Sequence, residues 1–293
     1  MAETVYLYLI IGIIIIGIVI LYFYKKKSKK RLKVGLALGS GGMNGLAHIG
    51  VLKVLEENKV PIDCIAGSSM GAVIGACYCL NPDIKELEKT AVSLTKWKLM
   101  KLAKMGMSKK SLISPGNIEI FLKELIGDKS FSDTKIPLKI IATDLNSGEE
   151  LVIGKGRLVN AIMASISIPG ILPPVNLNKK LLVDGGVINP TPVNVLKKIG
   201  SDVVIGVDLT MQSKAELKEP NIFQTLLKSY EILRTQSTKF NINKDDKSLL
   251  IIKPDITRLR SFKFYEIQKF IEEGEKTAKN SLQKIKLLLL NPK

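Results

Sequence analysis

Ile62-Asp63-Cys64-Ile65-Ala66-Gly67-Ser68-Ser69-Met70-Gly71-Ala72-Val73-Ile74-Gly75-Ala76-Cys77-Tyr78-Cys79-Leu80 is the stretch on which the fold turns. Ile62 to Ala66 is a short apolar run of strand length. Ala72 to Leu80 is apolar at helical length. Between them lies G-x-S-x-G, Gly67 to Gly71, with no room for a loop. A strand that passes directly into a helix must turn sharply. The residue at the apex takes a strained backbone conformation, and glycines flank it because side chains there would collide. The apex residue is Ser69, so its hydroxyl would stand exposed at a helix N-terminus, as a nucleophile does. A plain small-residue turn is the bland reading; the strand before and the apolar helix after argue against it.

The sequence around this turn repeats the alternation. Val34 to Gly39 (VGLALG) is a second buried-strand run; it passes into Gly39-Ser40-Gly41-Gly42-Met43-Asn44-Gly45 and then into Leu46 to Asn58, with helical spacing at Leu46, Ile49, Leu52 and Leu55, which Pro61 stops. Further strands are expected at 138–143, 151–153, 181–183, 203–207 and 249–252. Helices are expected at 117–126, 158–165, 192–199, 222–240 and 264–288. Continuous apolar strands between helices predict an α/β fold: a three-layer α/β/α sandwich with a mostly parallel central sheet. There is no internal repeat.

The glycine loop places bare N–H groups at a helix start, which suits an anion. Phosphate cradles and oxyanion holes look alike at this level. A dinucleotide site needs an acid at the end of the second strand, but that strand ends Ile65-Ala66-Gly67. A P-loop needs Gly-Lys-Ser/Thr, which is absent.

A serine nucleophile needs a base. The chain holds one histidine, His48, in the helix after the glycine loop and ahead of the serine. A role in packing or hydrogen bonding fits it better than the general base of a Ser-His-Asp order. The base should then be a carboxylate. Asp184, in Leu181-Leu182-Val183-Asp184-Gly185-Gly186, ends an apolar run before two glycines that allow close approach. From this motif alone it reads equally as a turn-forming aspartate.

Taken together, the run Gly39–Gly50, the GSSMG elbow and the DGG triplet resemble the patatin-like phospholipases in order and spacing. Ala142–Gly148 (ATDLNSG), Ala164–Gly170 (ASISIPG) and Pro173-Pro174 agree as well, and the resemblance extends over about 34–285. It implies a Ser69–Asp184 dyad that hydrolyses fatty-acyl esters of lipids, without calcium or another cofactor. It implies an oxyanion hole from the N–H groups of Gly41, Gly42 and Met70. Gly39, Asn44, Gly45, Gly67, Gly71, Gly185 and Gly186 support these motifs. Asn44 departs from the family, which usually has a basic residue there. Acyl transfer from the same acyl-enzyme, or a weakly active lipid-binding regulator, are the alternatives.

Residues 1–24 are expected to form a transmembrane anchor. Val5 to Tyr24 is uncharged, about long enough to cross ~30 Å of hydrocarbon, and flanked by tyrosines and Phe23. The following basic linker, 25–33, places the catalytic domain, 34–290, on the cytoplasmic side of a cell membrane. The net charge of +17 suits an anionic membrane surface more than nucleic acid, for which no motif is present, although a lysine-rich composition without functional meaning gives the same excess. A second membrane contact is expected at Lys96–Lys110, where six lysines alternate with Trp97, Leu99, Met100, Leu102, Met105 and Met107, although a solvated helix whose apolar residues join the core reads at least as well. The three cysteines suit neither a disulfide framework nor, with one histidine, a zinc site, so no metal is expected.

Overall fold

The structure, a computed structural model, describes residues 15–16, 31–93, 114–210, 219–243, 245–257 and 267–290. The chain forms two units, Met1–Leu32 and Lys33–Lys293. Among the described residues no helix is long and apolar enough to cross a membrane. The anchor expected at 1–24 lies outside the described residues apart from Ile15 and Ile16, as does the basic run up to Arg31. The expected lipid contact at 96–110 lies outside them entirely.

Among the described residues the second unit has eight strands: β1 (Val34–Leu38), β2 (Cys64–Ser68), β3 (Leu138–Asp144), β4 (Glu150–Ile153), β5 (Val175–Leu177), β6 (Lys180–Asp184), β7 (Val203–Val207) and β8 (Leu249–Ile252). Its helices among the described residues are α1 (Ala47–Glu57), α2 (Met70–Leu80), α3 (Ile84–Ser93), α4 (Pro115–Ile126), α5 (Leu158–Ser165), α6 (Val193–Lys198), α7 (Ile222–Asn241) and α8 (Ile267–Leu290). Every residue of β1, β2 and β7 is buried, as their unbroken apolar runs require of strands covered on both faces.

Side chains alternate between the two faces of the sheet. Leu36, Leu38, Ile65, Ile140, Ile205 and Val207 join one core with residues of α1, α2, α5 and α8. Ala37, Ala66, Ile141 and Val204 join another with Val193, Val195 and Leu196 of α6. The sheet thus lies between a thick helical layer on one face and a thin one on the other, three layers in all. In the thick layer α1 and α8 cross at Gly50 and Gly274. A Cβ on Gly50 would overlap the Ile271 carbonyl oxygen, and one on Gly274 that of Ala47.

The sheet is mixed: four of its strand pairings are parallel, and three, which the expectation of a mostly parallel sheet does not specify, are antiparallel. The hydrogen-bonded path is β5-β6-β3-β2-β1-β7-β8, with β4 also on β3. Strands β3, β2, β1, β7 and β8 pair in parallel, whereas β4, β5 and β6 pair antiparallel. The cause is hairpin chemistry. Asn178 and Lys179, with φ of 51° and 65°, turn β5 into β6. Two consecutive residues at positive φ give the type I′ geometry that matches strand twist.

One consequence of this pairing builds the site. Strand β3 has two edges and three partners. Along one edge runs β4, opposite Ile140 to Thr143. Along the other, β2 lies opposite Leu138 to Ile141, and β6 takes over opposite Ala142 to Asp144. Ser68 therefore pairs with Ile141, and Asp184 with the next residue, Ala142. Two strands meet end to end, and their last residues are neighbours.

Candidate active site

Ser69 follows the last residue of β2 and caps α2 with φ 54° and ψ −122°. A non-glycine residue at such a φ is strained and needs its surroundings to hold it. Gly71 permits it, because a Cβ there would overlap the Leu38 carbonyl oxygen. The Ser69 N–H donates to Ser165 Oγ at 2.9 Å, and Ser165 Oγ donates in turn to the Ile141 carbonyl at 2.6 Å. That relay ties the elbow to α5 and β3. Nothing in the sequence singled out Ser165, although it stands inside the ASISIPG stretch.

The meeting of β2 and β6 brings Ser69 to Asp184. Ser69 Oγ donates to Asp184 Oδ2 at 2.6 Å. Ser69 is 4% exposed and Asp184 0%. The other carboxylate oxygen, Oδ1, accepts from the Gly186 N–H at 2.6 Å and from the Tyr230 hydroxyl at 3.0 Å. Burial pushes the Asp184 carboxyl above its ordinary value. The hydrogen bonds from Ser69, Gly186 and Tyr230 and the positive charge of Arg234 oppose that rise without cancelling it. A carboxylate raised in this way is a better proton acceptor than an ordinary aspartate.

The glycine loop is held at several points. The Gly39 N–H donates to Val207 O at 3.0 Å, and the Ser40 N–H to Pro190 O at 2.7 Å. Those two amides are therefore occupied. Gly41 and Gly42 follow, and Gly42 opens a 3-10 turn (Gly42–Leu46), whose first N–H groups have no acceptor within the helix. A Cβ on Gly42, at φ 54°, would face open space. Met70, the first residue of α2, has its N–H in the same position, and its side chain leaves Gly45 no space for a Cβ. Around Asp184, a Cβ on Gly185 would overlap the Ile141 carbonyl oxygen. One on Gly186 would lie 2.7 Å from the Tyr230 hydroxyl and 2.8 Å from Ser40 Oγ. The two glycines after the aspartate are needed for this packing.

His48 is fully buried, and its Nε2 donates to the Gly39 carbonyl at 2.7 Å. Its hydrogen bond goes to the glycine loop and not to Ser69 or Asp184. Burial lowers its pKa to about 4, so the ring is neutral at physiological pH. All three cysteines are free. Burial raises each thiol, Cys77 to about 12, which leaves none of them ionised at neutral pH.

Tyr230 and Arg234 are the residues that sequence reading missed. They lie four apart on α7, where i, i+4 neighbours share a face. Arg234 Nη2 donates to the Ser40 carbonyl at 2.7 Å, and its guanidinium lies 5.6 Å from the centre of the Tyr230 ring.

The chain is similar to several known proteins. An uncharacterized NTE family protein of Mycobacterium tuberculosis is 34% identical over 213 residues, 72% of this chain and 58% of that protein. The neuropathy target esterase sws of Drosophila melanogaster is 32% identical over 190 residues, 63% of this chain and 13% of its own. The crystal structure of VipD from Legionella pneumophila aligns with 87% of this chain and 67% of that one, at 12% identity and a TM-score of 0.48. The chain thus spans little more than half the length of the mycobacterial relative. The family model described as patatin-like phospholipase matches residues 36–197, a span that holds the glycine loop, the elbow and Asp184. The chain belongs to the patatin-like phospholipase family.

Proposed function

We propose that this chain is a serine lipid acyl hydrolase that works through a Ser69–Asp184 dyad. The observation that carries the reading is the 2.6 Å hydrogen bond from a hydroxyl at a strained elbow to a fully buried carboxylate. Ser69 Oγ attacks the ester carbonyl and its proton passes to Asp184 Oδ2. The carbonyl oxygen becomes an oxyanion, to which the N–H groups of Gly41, Gly42 and Met70 donate. Such donors are each worth about a hundredfold or more in turnover. Collapse breaks the ester bond, and the departing alcohol takes the proton from Asp184. Water then attacks the acyl-serine as Asp184 accepts its proton; collapse breaks the acyl–serine bond, the proton returns from Asp184 to Ser69 Oγ, and the fatty acid leaves. His48 has no part in these steps; it braces the loop.

The substrate is a membrane lipid, and two features support this. The apolar stretch 5–24 and the lysines after it suit an anchor with the catalytic unit on the cytoplasmic face. Helix α7 also exposes Ile222, Leu226, Leu233 and Phe240. At about 100° per residue these four fall within an arc of about 40°, and Tyr230 lies about 40° beyond its edge. An apolar strip thus borders the side of α7 that reaches the dyad, where a lipid surface would present its esters.

The full-length chain, purified in detergent, should release fatty acid from phospholipid vesicles and hydrolyse a short-chain p-nitrophenyl ester. Loss of neither activity in Ser69→Ala would end this reading. The strip makes a separate claim. Leu226→Glu combined with Leu233→Glu should lower the rate on anionic vesicles about tenfold, the equivalent of ~1.4 kcal/mol, while leaving the soluble ester rate within about twofold. Equal losses on both substrates would point to damage within the site instead.

A further inference from the structure

We propose that Tyr230 and Arg234 are the positioning residues of the active site, Tyr230 for the Asp184 carboxylate and Arg234 for the glycine loop. The inference rests on the functional reading above and goes beyond it. The dyad and the loop come from the first two hundred residues. The element that joins them comes from α7, beyond the residues that the family model matches.

Consider the carboxylate first. A carboxyl group turns easily about its last side-chain bond, because such torsions have broad minima. Only one orientation aims Oδ2 at Ser69. Gly186 holds Oδ1 from two residues away, and Tyr230 holds the same oxygen from forty-six residues away. The Tyr230 hydroxyl can only donate here. Burial and the neighbouring Asp184 charge drive its ionisation well above the ordinary phenol value.

The loop is the more informative case. A peptide unit is planar and trans, so its C=O and N–H point in opposite directions. The Ser40 carbonyl and the Gly41 N–H belong to one such unit. Arg234 Nη2 donates to that carbonyl at 2.7 Å. Fixing the oxygen on one side fixes the direction of the Gly41 N–H on the other. A cation at the oxygen also polarises the unit and strengthens its N–H as a donor. Segment Gly39–Gly45 contains no charged residue of its own, so the charge at this loop comes from α7. The guanidinium lies within cation–π range of the Tyr230 ring, so the two act as one rigid clamp. The same arrangement recurs one peptide earlier, where His48 holds the Gly39 carbonyl and the Ser40 N–H points to Pro190.

The test uses the full-length chain and a soluble ester, so that lipid binding does not enter. The groups that face Asp184 are Ser69 at the elbow, the Gly186 amide, and Tyr230 and Arg234 on α7. Tyr230→Phe keeps the ring and removes one donor from the carboxylate. Its kcat should fall about tenfold, and the acid limb of the kcat/KM profile should move to higher pH. Arg234→Met should lower kcat about a hundredfold with KM little changed, because the loop acts on the transition state. Arg234→Lys should return the acid limb towards wild type by restoring the charge. Should the Arg234 variants fail to fold, the Tyr230→Phe profile decides alone. Fluorophosphonate labelling of Ser69 separates the two levels of failure. An inert wild-type Ser69 would bring down the functional reading and this inference with it. A reactive wild-type Ser69, with Tyr230→Phe indistinguishable from wild type in kcat and acid limb, would bring down the inference alone.

Discussion

Asp184→Asn is expected to yield a folded chain with about a thousandfold less turnover, or lower still. The volume hardly changes, and the hydrogen bonds can be remade. The asparagine carbonyl oxygen takes the place of Oδ1, accepting from Gly186 and Tyr230. Its NH2 group then sits where Oδ2 was and donates to Ser69 Oγ. The bond survives with its direction reversed, and the serine keeps its proton because its neighbour cannot accept one. Stability should respond the other way. Since burial raises the folded-state pKa of Asp184, the folded chain binds that proton more tightly than the unfolded chain. Its contribution to stability therefore declines as pH climbs from the ordinary 3.8 through the raised value. The neutral amide escapes that loss. Thermal melting at pH 7 should show Asp184→Asn at least as stable as wild type, while steady-state assays show it inactive. A variant that kept a tenth of the activity would mean that the proton goes elsewhere.

Ser69→Ala should cost more in rate, on the order of a millionfold, because no acyl-enzyme can form. It should also leave a scar in the fold. Asp184 Oδ2, on a fully buried carboxyl, loses its hydroxyl donor, and a buried acceptor without a partner costs about 1–3 kcal/mol. Alanine also keeps the positive φ of position 69 without relief. The two inactive variants should then differ in melting temperature, with Asp184→Asn the higher. Differential scanning calorimetry at pH 7 measures this, and the reverse order would show that the Ser69–Asp184 bond contributes little.

Local patterns made some of this structure legible and left other parts dark. Strands β1 and β7 and helix α5 lie within the bounds that their apolar runs and spacing give, because burial on both faces writes itself into consecutive residues. Helix α3 was overlooked despite a usable signal. The Asp83 carboxylate accepts from the N–H groups of Lys85 and Glu86, so Asn81-Pro82-Asp83 is a helix start. Strand β5 is three residues long after Pro173-Pro174, and its turn, Asn178-Lys179, lacks the glycine that usually marks a type I′ hairpin. With β5 hidden, the antiparallel side of the sheet was hidden too.

The site divides in the same way. The elbow serine and the aspartate could be named, because each stands in a motif with its own backbone demands. Their meeting could not be read, since it depends on β2 and β6 sharing one edge of β3. Register between residues 115 apart leaves no local trace. Tyr230 and Arg234 look like ordinary residues of a polar helix until that helix is docked against Gly186 and Ser40.

The central claim is that two residues, and no histidine, carry the chemistry. It is tested most directly by kcat/KM of His48→Gln beside Ser69→Ala on one soluble ester, with the fold of each checked by circular dichroism. A glutamine amide can still donate to the Gly39 carbonyl, so His48→Gln should stay within about tenfold of wild type. A folded His48→Gln as inactive as Ser69→Ala would contradict the account.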